Sequence, residues 1–516
     1  MCIFMTKKIF FLFPNTANNP TVTTSIPIFS GIAKELGWKQ KYFDTTWYQK
    51  TQDSTEGKEK TGGFRPGFVK LERHYLPKKR LISDLQKALD KFSPDILAIT
   101  TMSPDYEFLM TFFPQIKVPA KTITIIGGVH VTFATDEVVK SKLFDIACVG
   151  QGENTFREIL TRYEQKRSLK NVQGTYFINK NSGKVIKNPR RRMLSSEEVW
   201  QTDANYSLFD DSYFTFPFDG KMVKMFKLEV GRGCPFNCSY CGNTALKEDS
   251  AGLGNFLYAR DIDSIFRTTK EVIEKYKIEM FNFTDECFLA RPKAWLNEFA
   301  KRWHAEVRRP LFIQSRPETI TEENIKLLKS CGAPFVQVGL GVESGSEKIL
   351  HEVCNRMMKV DIIIKAYDLL NKHGARTNAY FMLGFPHETR EDIFETINLC
   401  RRINSDINSV AIFQPLPGSK LRKVCLDEGL LDENEKCSTY TGGSILKMPQ
   451  ISAEEISNLF RVFLLYAKLP KKYYPQIEKC EKDYENNKEL FEKLVKLRWK
   501  IEDKNKKNKP KWITKK

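Results

Sequence analysis

The stretch "KMFKLEVGRGCPFNCSYCGNT", residues 224–244, places three cysteines directly after an apolar strand pattern. Cys234, Cys238 and Cys241 lie within eight positions, among glycines that let the backbone turn tightly. In chains that alternate strands and helices, the loop at the carboxyl end of a parallel strand is where binding sites assemble. The cysteines therefore mark a candidate site at the end of a strand.

Three thiols at this spacing could belong to two kinds of metal site. Zinc takes four protein ligands, or three plus water, and its Cys or His ligands normally come in pairs. No second C-x-x-C or H-x-x-x-H lies near these cysteines. Three thiolates suit a 4Fe-4S cluster with one iron left open, since cysteine thiolates are the usual cluster ligands. The spacing favours the cluster, and zinc and inert thiols are the alternatives.

Residues 223–435 repeat a strand pattern followed by a helix pattern. Six units are too few for a closed eight-stranded barrel, so we expect an open partial (β/α)6 barrel of the TIM type. The six predicted strands are "KMFKLEV" (224–230), "EMFNFT" (279–284), "LFIQS" (311–315), "PFVQVGL" (334–340), "TNAYFML" (377–383) and "NSVAIF" (408–413).

Residues 1–165 also alternate strands and helices and predict a Rossmann-like α/β domain. Strands with apolar residues on both faces imply a parallel sheet covered by helices on each side. The segments 100–106, 127–132 and 150–155 fall at the carboxyl ends of such strands, where a ligand is expected. The predicted strands are "KKIFFLF" (7–13), "KQKYFD" (39–44), "DILAIT" (95–100) and "TITIIGG" (122–128).

Two further regions complete the predicted domain organisation. Residues 166–222 have no strong period and predict a connector with a β-hairpin that turns at 181–183. Residues 436–516 predict a helical C-terminal region with a basic tail. Its helix at 452–469, capped by Ser452, is expected to cover the open edge or the bottom of the barrel.

Composition narrows the function classes. The chain has 516 residues, enough for two to four domains, and no apolar run approaches the roughly 18 residues that a membrane span needs. Twelve cysteines without a regular framework favour reduced thiols in a cytoplasm. The formal net charge of +19 makes nucleic acid a possible partner, although a solvated basic tail is the simpler interpretation.

The C-x3-C-x2-C spacing, with Tyr240 before the last cysteine, resembles the signature of the radical S-adenosylmethionine (radical SAM) superfamily. The resemblance implies that the three cysteines ligate a 4Fe-4S cluster, whose open iron binds S-adenosylmethionine and cleaves it to a 5′-deoxyadenosyl radical. Four more segments carry it: "FNFTDECF" (281–288), "GLGVESGSEKIL" (339–350), "YFMLGFPHET" (380–389), where His387 replaces the usual glycine, and "FQPLPGSKL" (413–421).

The N-terminal domain resembles the cobalamin-binding domain that precedes this barrel in one large subgroup. The D-x-H-x-x-G motif that supplies a lower histidine ligand is absent, so the resemblance implies cobalamin without a protein histidine; a degenerate domain that has lost cobalamin is the alternative. His130 is isolated and is interpreted as structural rather than as a ligand. The candidate cofactor contacts are Ser103, Gly127, Gly128, Gly150, Gly152 and Glu153.

In the barrel, the resemblance suggests contacts to S-adenosylmethionine, each with a plain structural alternative. Asp285 and Glu286 would accept hydrogen bonds from the methionyl ammonium, unless they form a solvated acidic turn. Gln314 and Arg316 would hold the carboxylate, unless Arg316 forms a structural salt bridge. Glu343 and Ser344 would bond the ribose hydroxyls, unless they cap a helix. No catalytic side chain is identified.

The function that this resemblance implies is methylation of an unactivated carbon by a cobalamin-dependent radical SAM enzyme in the cytoplasm. Such an enzyme would take a small-molecule or peptide substrate and electrons from a low-potential donor such as flavodoxin or ferredoxin. The alternatives are non-methylating radical chemistry, namely cyclisation or rearrangement, a tRNA methylthiotransferase, and a non-catalytic iron-sulfur or zinc module. The methylthiotransferase is disfavoured because its N-terminal domain carries three cluster cysteines of its own, whereas here that domain has only Cys2 and Cys148.

Overall fold

The computed structural model of the chain describes residues 6–17, 20–48, 76–218, 221–437 and 439–507. Two mixed seven-stranded sheets follow one another along the chain, and helices form the C-terminal part. The sequence predicts a polar insertion at about 45–75. Most of this segment, Cys2 and the end of the basic tail lie outside the described residues. None of the helices in the described ranges is both long enough and apolar enough to span a bilayer.

The first sheet is the predicted Rossmann-like sheet. Its spatial order is β2-β1-β3-β4-β5-β6-β7, with the first five strands parallel. The strands are β1 (Lys8–Phe13), β2 (Lys39–Asp44), β3 (Ile96–Thr100), β4 (Ile123–Gly127), β5 (Ile146–Cys148), β6 (Thr175–Ile178) and β7 (Val185–Lys187). The predicted hairpin within 166–222 is β6–β7, and it extends this sheet antiparallel to β5 instead of standing apart as a connector.

Both faces of this sheet are buried, as the apolar strand patterns predicted. Phe11 and Phe13 of β1 pack into the hydrophobic core on one face, and Phe10 and Leu12 pack into a second core on the other. The helices of this domain are Ser25–Glu35, Arg80–Phe92, Ser103–Met110, Val129–Phe133, Thr135–Lys140 and Glu153–Glu164. The sequence of residues 104–117 predicts a single helix, but the helix observed there ends at Met110, and a short 3-10 helix, Phe113–Gln115, follows it.

The second sheet is the predicted partial barrel. Its order is β16-β15-β14-β13-β12-β9-β8, and six of its strands are parallel. The strands are β8 (Thr215–Phe218), β9 (Lys221–Leu228), β12 (Met280–Phe283), β13 (Leu311–Ser315), β14 (Val336–Glu343), β15 (Arg376–Leu383) and β16 (Ile407–Ile412). The seventh strand, β8, pairs antiparallel with β9 and was not predicted. A two-stranded ribbon, β10 (Gly231–Arg232) with β11 (Tyr258–Ala259), follows β9.

Helices cover the outside of the barrel and its open edge. The helix Ala453–Lys468 begins at Ser452, whose side chain accepts a hydrogen bond from Glu455 N (3.0 Å), as predicted. It packs beside the edge strand β16, and its Phe463 ring lies 5.5 Å from that of Phe381. The others are Ser196–Val199, Gly242–Asp249, Ile262–Tyr276, Lys293–Glu306, Glu322–Ser330, Val360–Lys372, Arg390–Ile403, Lys420–Asp427, Tyr474–Lys482 and Lys488–Lys507.

Candidate functional site

The cysteine loop, residues 234–241, follows β10 and runs into the helix Gly242–Asp249. A segment more than 100 residues later holds it in place. Ser239 N donates to Cys354 O (3.1 Å), and Ser239 Oγ donates to Val353 O. Asn355 Nδ2 donates to Asn237 O (2.8 Å). The backbone of the loop is therefore fixed by tertiary contacts that its own sequence does not reveal.

Arg356 anchors the same loop through its aromatic residue. Its buried guanidinium donates from Nη1 to Tyr240 OH (3.2 Å) and from Nη2 to Gly341 O (2.7 Å). Nη1 also pairs with Glu343 Oε1 at 3.0 Å. Glu343 therefore holds the cysteine loop through Arg356, and its contact to a ribose stays a prediction. Ser344 is buried, with its Oγ 3.2 Å from Thr396 Oγ1.

Cys238 is buried, and Arg316 lies against its sulfur. Arg316 Nη1 donates to Cys238 Sγ at 3.1 Å, and the guanidinium lies 3.9 Å from the centre of the Phe236 ring. Arg316 Nη2 pairs with Glu318. The structural salt bridge foreseen for Arg316 is thus present, and the side chain also reaches the thiol. Gln314 lies half-buried on β13, two residues before it.

Cys234 and Cys241 lie in surroundings that disfavour free thiolates. Burial raises the pKa of Cys234 to about 12 and raises that of Cys241 above its ordinary value. A coordinated thiol is deprotonated by the metal, so iron would reverse this preference. Among the described residues, no three His, Cys, Asp or Glu side chains are arranged around a single ion position. Four other cysteines lie on apolar sequence patterns, which predicts core positions, and all four are buried: Cys287, Cys331, Cys354 and Cys400.

The two acids after β12 have different surroundings. Asp285 is buried, pairs with Arg291 and accepts a hydrogen bond from Val230 N (3.3 Å). Burial raises the pKa of Asp285 to about 7. Glu286 is accessible from a cavity whose walls desolvate its carboxylate and raise its pKa. Asp285 is therefore engaged within the fold, and only Glu286 faces a space that could hold a ligand.

A cavity lies between the carboxyl ends of the first sheet and the residues around the cysteine loop. The cavity has a volume of about 340 Å3 and is open to solvent. Five of the six cofactor contacts predicted in the N-terminal domain line it: Gly127, Gly128, Gly150, Gly152 and Glu153. The barrel side contributes Glu229, Arg232, Asn243 and Glu286. The cavity therefore joins the two predicted binding regions.

The two glycines after β4 have different roles. Gly128 has φ +110°, and a Cβ there would lie 2.2 Å from Thr101 O. A glycine is therefore required at position 128 by the close approach of two backbone segments, and the contact of Gly128 with a cofactor stays a prediction. A Cβ on Gly127 would meet only Cys148 Cβ, at an ordinary 3.6 Å. The backbone of Gly127 is the part of this turn that a ligand could approach.

His130 packs inside the N-terminal domain. Its ring stacks on Tyr106 with centres 4.1 Å apart, and its Nδ1 lies 3.1 Å from Ser103 Oγ. Burial, with a smaller effect of Lys436, lowers the pKa of His130 to about 4. These contacts agree with the structural role expected for His130. They also give Ser103 a partner within the protein, and Ser103 is the predicted cofactor contact that does not line the cavity.

Ion pairs join the two domains around the cavity. Arg190 forms a bidentate pair with Asp249, with N–O distances of 2.7 and 2.6 Å. Arg232 joins Glu153 Oε1 (2.5 Å) and Glu229 Oε1 (3.1 Å). Pairing by Arg in this fork geometry fixes orientation as well as distance. These ion pairs could not be predicted from the sequence, since nothing near the two arginines in the chain indicates which carboxylates they pair with.

Comparison with protein-family models assigns both regions. The model for the radical SAM superfamily matches residues 228–400, and that for the B12 binding domain matches residues 67–160. The chain therefore carries a radical SAM domain and a B12-binding domain. The first match contains the cysteine loop, and the second contains the glycine turn after β4.

Two curated relatives of this radical SAM protein span most of it. An uncharacterized methyltransferase of Pyrococcus horikoshii is 27% identical over 381 residues, which cover 73% of this chain and 80% of the relative. The anaerobic magnesium-protoporphyrin IX monomethyl ester cyclase of Rubrivivax gelatinosus is 24% identical over 367 residues, which cover 69% of this chain and 63% of the cyclase.

Two solved structures share the fold of this radical SAM protein. The cobalamin-dependent S-adenosylmethionine radical enzyme OxsB, with aqua-cobalamin and S-adenosylmethionine bound, aligns with a TM-score of 0.65 at 14% identity and covers 96% of this chain and 72% of its own. The radical S-adenosylmethionine methyltransferase TsrM of Kitasatospora setae, with cobalamin and a [4Fe-4S] cluster bound, aligns with a TM-score of 0.60 at 14% identity and covers 82% and 75%. The order of a B12-binding domain, a partial barrel and a helical C-terminal region is thus confirmed.

The residues present fit the cofactors of the family. Three thiols on one loop supply the donor set of an iron-sulfur cluster, and each thiolate of a cubane can bind a different iron. Buried polar atoms without a hydrogen-bond partner lie on both sides of the cavity, namely Glu229 Oε2 on the barrel side and Glu153 Oε2 on the N-terminal side. Such atoms are costly unless something bonds them. On the first sheet, apolar side chains and a glycine turn leave a wall that a flat macrocycle could approach.

Proposed function

We propose that the chain is a cobalamin-dependent radical SAM methyltransferase that acts on an unactivated carbon of a small molecule or peptide. The observation that carries this proposal is the single cavity that joins the B12-binding domain to the surroundings of the cysteine loop. A methyl carrier on one wall and a radical source on the other would both face a substrate between them. The cluster and S-adenosylmethionine supply the radical, and cobalamin supplies the methyl group.

The side chains of the protein would bind and orient these groups. Cys234, Cys238 and Cys241 would hold the cluster. Glu286 faces the cavity and can accept a hydrogen bond from an ammonium group, whereas Asp285 is paired with Arg291. The walls of this space desolvate the carboxylate of Glu286, which strengthens the charge interactions that it can form.

The proposal also includes the setting in which the protein works. A low-potential cluster needs a reducing compartment and an electron donor, so we place the protein in the cytoplasm with a flavodoxin or ferredoxin as its donor. The eleven cysteines that the structure describes are all free thiols, in keeping with this setting.

A second candidate is cyclisation without methyl transfer. It is favoured by the similarity to the cyclase of Rubrivivax gelatinosus, which extends over 69% of this chain. The tRNA methylthiotransferase alternative has weaker support, because in the described part of the N-terminal domain Cys148 is the only cysteine.

Labelled methyl groups distinguish the two candidates without knowledge of the substrate. The reconstituted full chain is incubated with cobalamin, a strong reductant and S-adenosylmethionine labelled in its methyl group. A methyltransferase should pass the label to protein-bound cobalamin, while variants of the three cysteines should lose only the formation of 5′-deoxyadenosine. Formation of 5′-deoxyadenosine with unlabelled cobalamin would refute the methyltransferase and favour the cyclisation candidate.

A further inference from the structure

The concave face of the barrel carries a lysine, Lys227 of β9. The residues on either side of it, Phe226 and Leu228, pack into the hydrophobic core beneath the helices. Successive side chains of a strand point to opposite faces, so Lys227 points into the barrel. Lys224, three residues earlier, lies on the helix side and pairs with Asp211. One strand therefore presents two lysines in opposite directions.

In the described part of the chain, Lys227 has no charged partner. Its Nζ donates to Thr21 Oγ1 of the N-terminal domain (2.6 Å) and lies 5.7 Å from the centre of the Phe216 ring. Among the residues that the structure describes, no carboxylate pairs with it, and burial alone lowers its pKa. A desolvated cation without a counter-ion is unfavourable. The position is therefore suited to an anion that arrives from outside.

Polar atoms without partners surround this lysine. Asn282 of β12 is aligned with Lys227 in the parallel register and shares its face, and its Oδ1 is buried without a hydrogen-bond partner. Thr284 Oγ1 and Gln337 Oε1, on strands of the same sheet or just after them, are also buried without partners. Buried polar atoms are almost always bonded in a complete structure. This face is therefore built to meet a polar group.

An aromatic wall lies beside the polar atoms. Phe312 of β13 is aligned with Asn282, so it lies one strand further from Lys227 on the same face. The rings of Phe312 and Tyr380 both come close to Gly339, within 3.1 Å of where a Cβ would be. Neighbouring strands are about 4.8 Å apart, so the lysine, the amide and the rings lie within reach of one small molecule.

We propose that this face binds the substrate, and that the substrate carries an anionic group, which pairs with Lys227, attached to a planar apolar part that packs on Phe312 and Tyr380. Asn282 Oδ1 accepts a hydrogen bond from an N–H or O–H group of the same molecule. This inference rests on the proposed function, because it places the substrate of that reaction in the barrel. The anion is a carboxylate or a phosphate.

Three small probes test the charge requirement: benzoate, phenyl phosphate and the neutral benzamide. Their binding to the reconstituted full chain with S-adenosylmethionine is measured by equilibrium dialysis. We expect at least one of the two anions to bind ten times more tightly than benzamide. Lys227→Met should abolish this difference, and Lys227→Arg should retain it. Lys224→Met is the matched control, since it removes one positive charge from the same strand but on the other face, and it should leave the difference unchanged.

The outcomes separate the possibilities. Preference for benzoate or for phenyl phosphate identifies the anion as a carboxylate or a phosphate. Equal affinity for all three probes, absence of binding included, overturns the proposal, and so does a preference that survives in Lys227→Met. Dialysis detects binding and not methyl transfer. A negative dialysis result would therefore not contradict the methyltransferase proposal, and a negative labelling result would not contradict the binding of an anion by Lys227.

Discussion

The two walls of the cavity are built differently. The wall around the cysteine loop is polar, and its shape depends on interactions between residues far apart in the sequence. Examples are the ion pair of Arg232 with Glu153 and the hydrogen bond from Arg356 to Tyr240. The wall at the end of the first sheet is mostly apolar and depends on backbone turns, with Gly128 against Thr101. The first wall can be altered by a change of charge. The second should be altered most by a change of backbone geometry, such as a side chain at Gly128.

This difference indicates how each cofactor would be recognised. A small charged cofactor needs donors and acceptors at fixed positions, which ion pairs and hydrogen bonds supply. A large flat macrocycle needs an open surface, which a turn at the end of a parallel sheet supplies. Changes on one wall should therefore leave the cofactor on the other wall in place, so that the two cofactors bind independently.

The largest effect is expected when Cys234, Cys238 and Cys241 are all replaced by Ala. Anaerobic reconstitution of the wild-type chain should give about four irons per chain, and the variant should hold none, because cysteine thiolates are the ligands of such clusters. Iron and sulfide analysis measures the loss. Binding of cobalamin by the variant should be unchanged, since the other wall is untouched.

Cys437→Ala is the control, since this half-buried thiol lies outside the cysteine loop. It should retain its iron. Iron at the wild-type level in the triple variant would contradict the cluster, and loss of cobalamin together with the iron would contradict the independence of the walls.

The sequence predicted the parts of this site that are local in the chain. The three thiols lie within eight residues, and the strands of both sheets have clear apolar patterns, so the loop and the folds could be foreseen. The clamp of Val353, Cys354 and Asn355 on the cysteine loop could not, because hydrogen bonds across more than 100 residues have no local pattern. The hairpin β6–β7 was placed in a connector because its turn chemistry does not reveal whether a third strand pairs with it.

A second prediction separates Asp285 from Glu286. Asp285→Asn should destabilise the fold by about 3 kcal/mol, because it leaves Arg291 as a buried charge without its partner. Glu286→Gln should leave stability unchanged and weaken binding of S-adenosylmethionine by about 2 kcal/mol, the usual size of a charge-assisted hydrogen bond. Urea unfolding and calorimetric titration measure the two quantities. If Asp285→Asn weakened binding and Glu286→Gln weakened stability instead, Asp285 would be the residue that binds S-adenosylmethionine and Glu286 would be structural.

A third prediction concerns pH and the wall of the first sheet. The pKa of His130 is about 4 in the folded chain and about 6.5 in an unfolded one. Between these values the unfolded chain binds a proton that the folded chain does not, so stability falls as the pH falls from 6.5 to 4, by about 3 kcal/mol. His130→Gln should lose less stability over this range in urea unfolding at each pH. Equal losses in both proteins would show that His130 is not the group responsible.

The smallest effect is expected at Arg316, which touches the cysteine wall without being a cluster ligand. Its guanidinium donates to Cys238 Sγ, and a positive charge there favours the reduced, more negative cluster. Arg316→Gln should therefore lower the reduction potential by about 60 mV, a tenfold change in the ratio of oxidised to reduced cluster. Redox titration followed by electron paramagnetic resonance measures it. Glu318→Gln, which removes the carboxylate paired with Arg316, should shift the potential upward. Shifts of the same sign in both variants would mean that altered packing, and not charge, controls the cluster from this position.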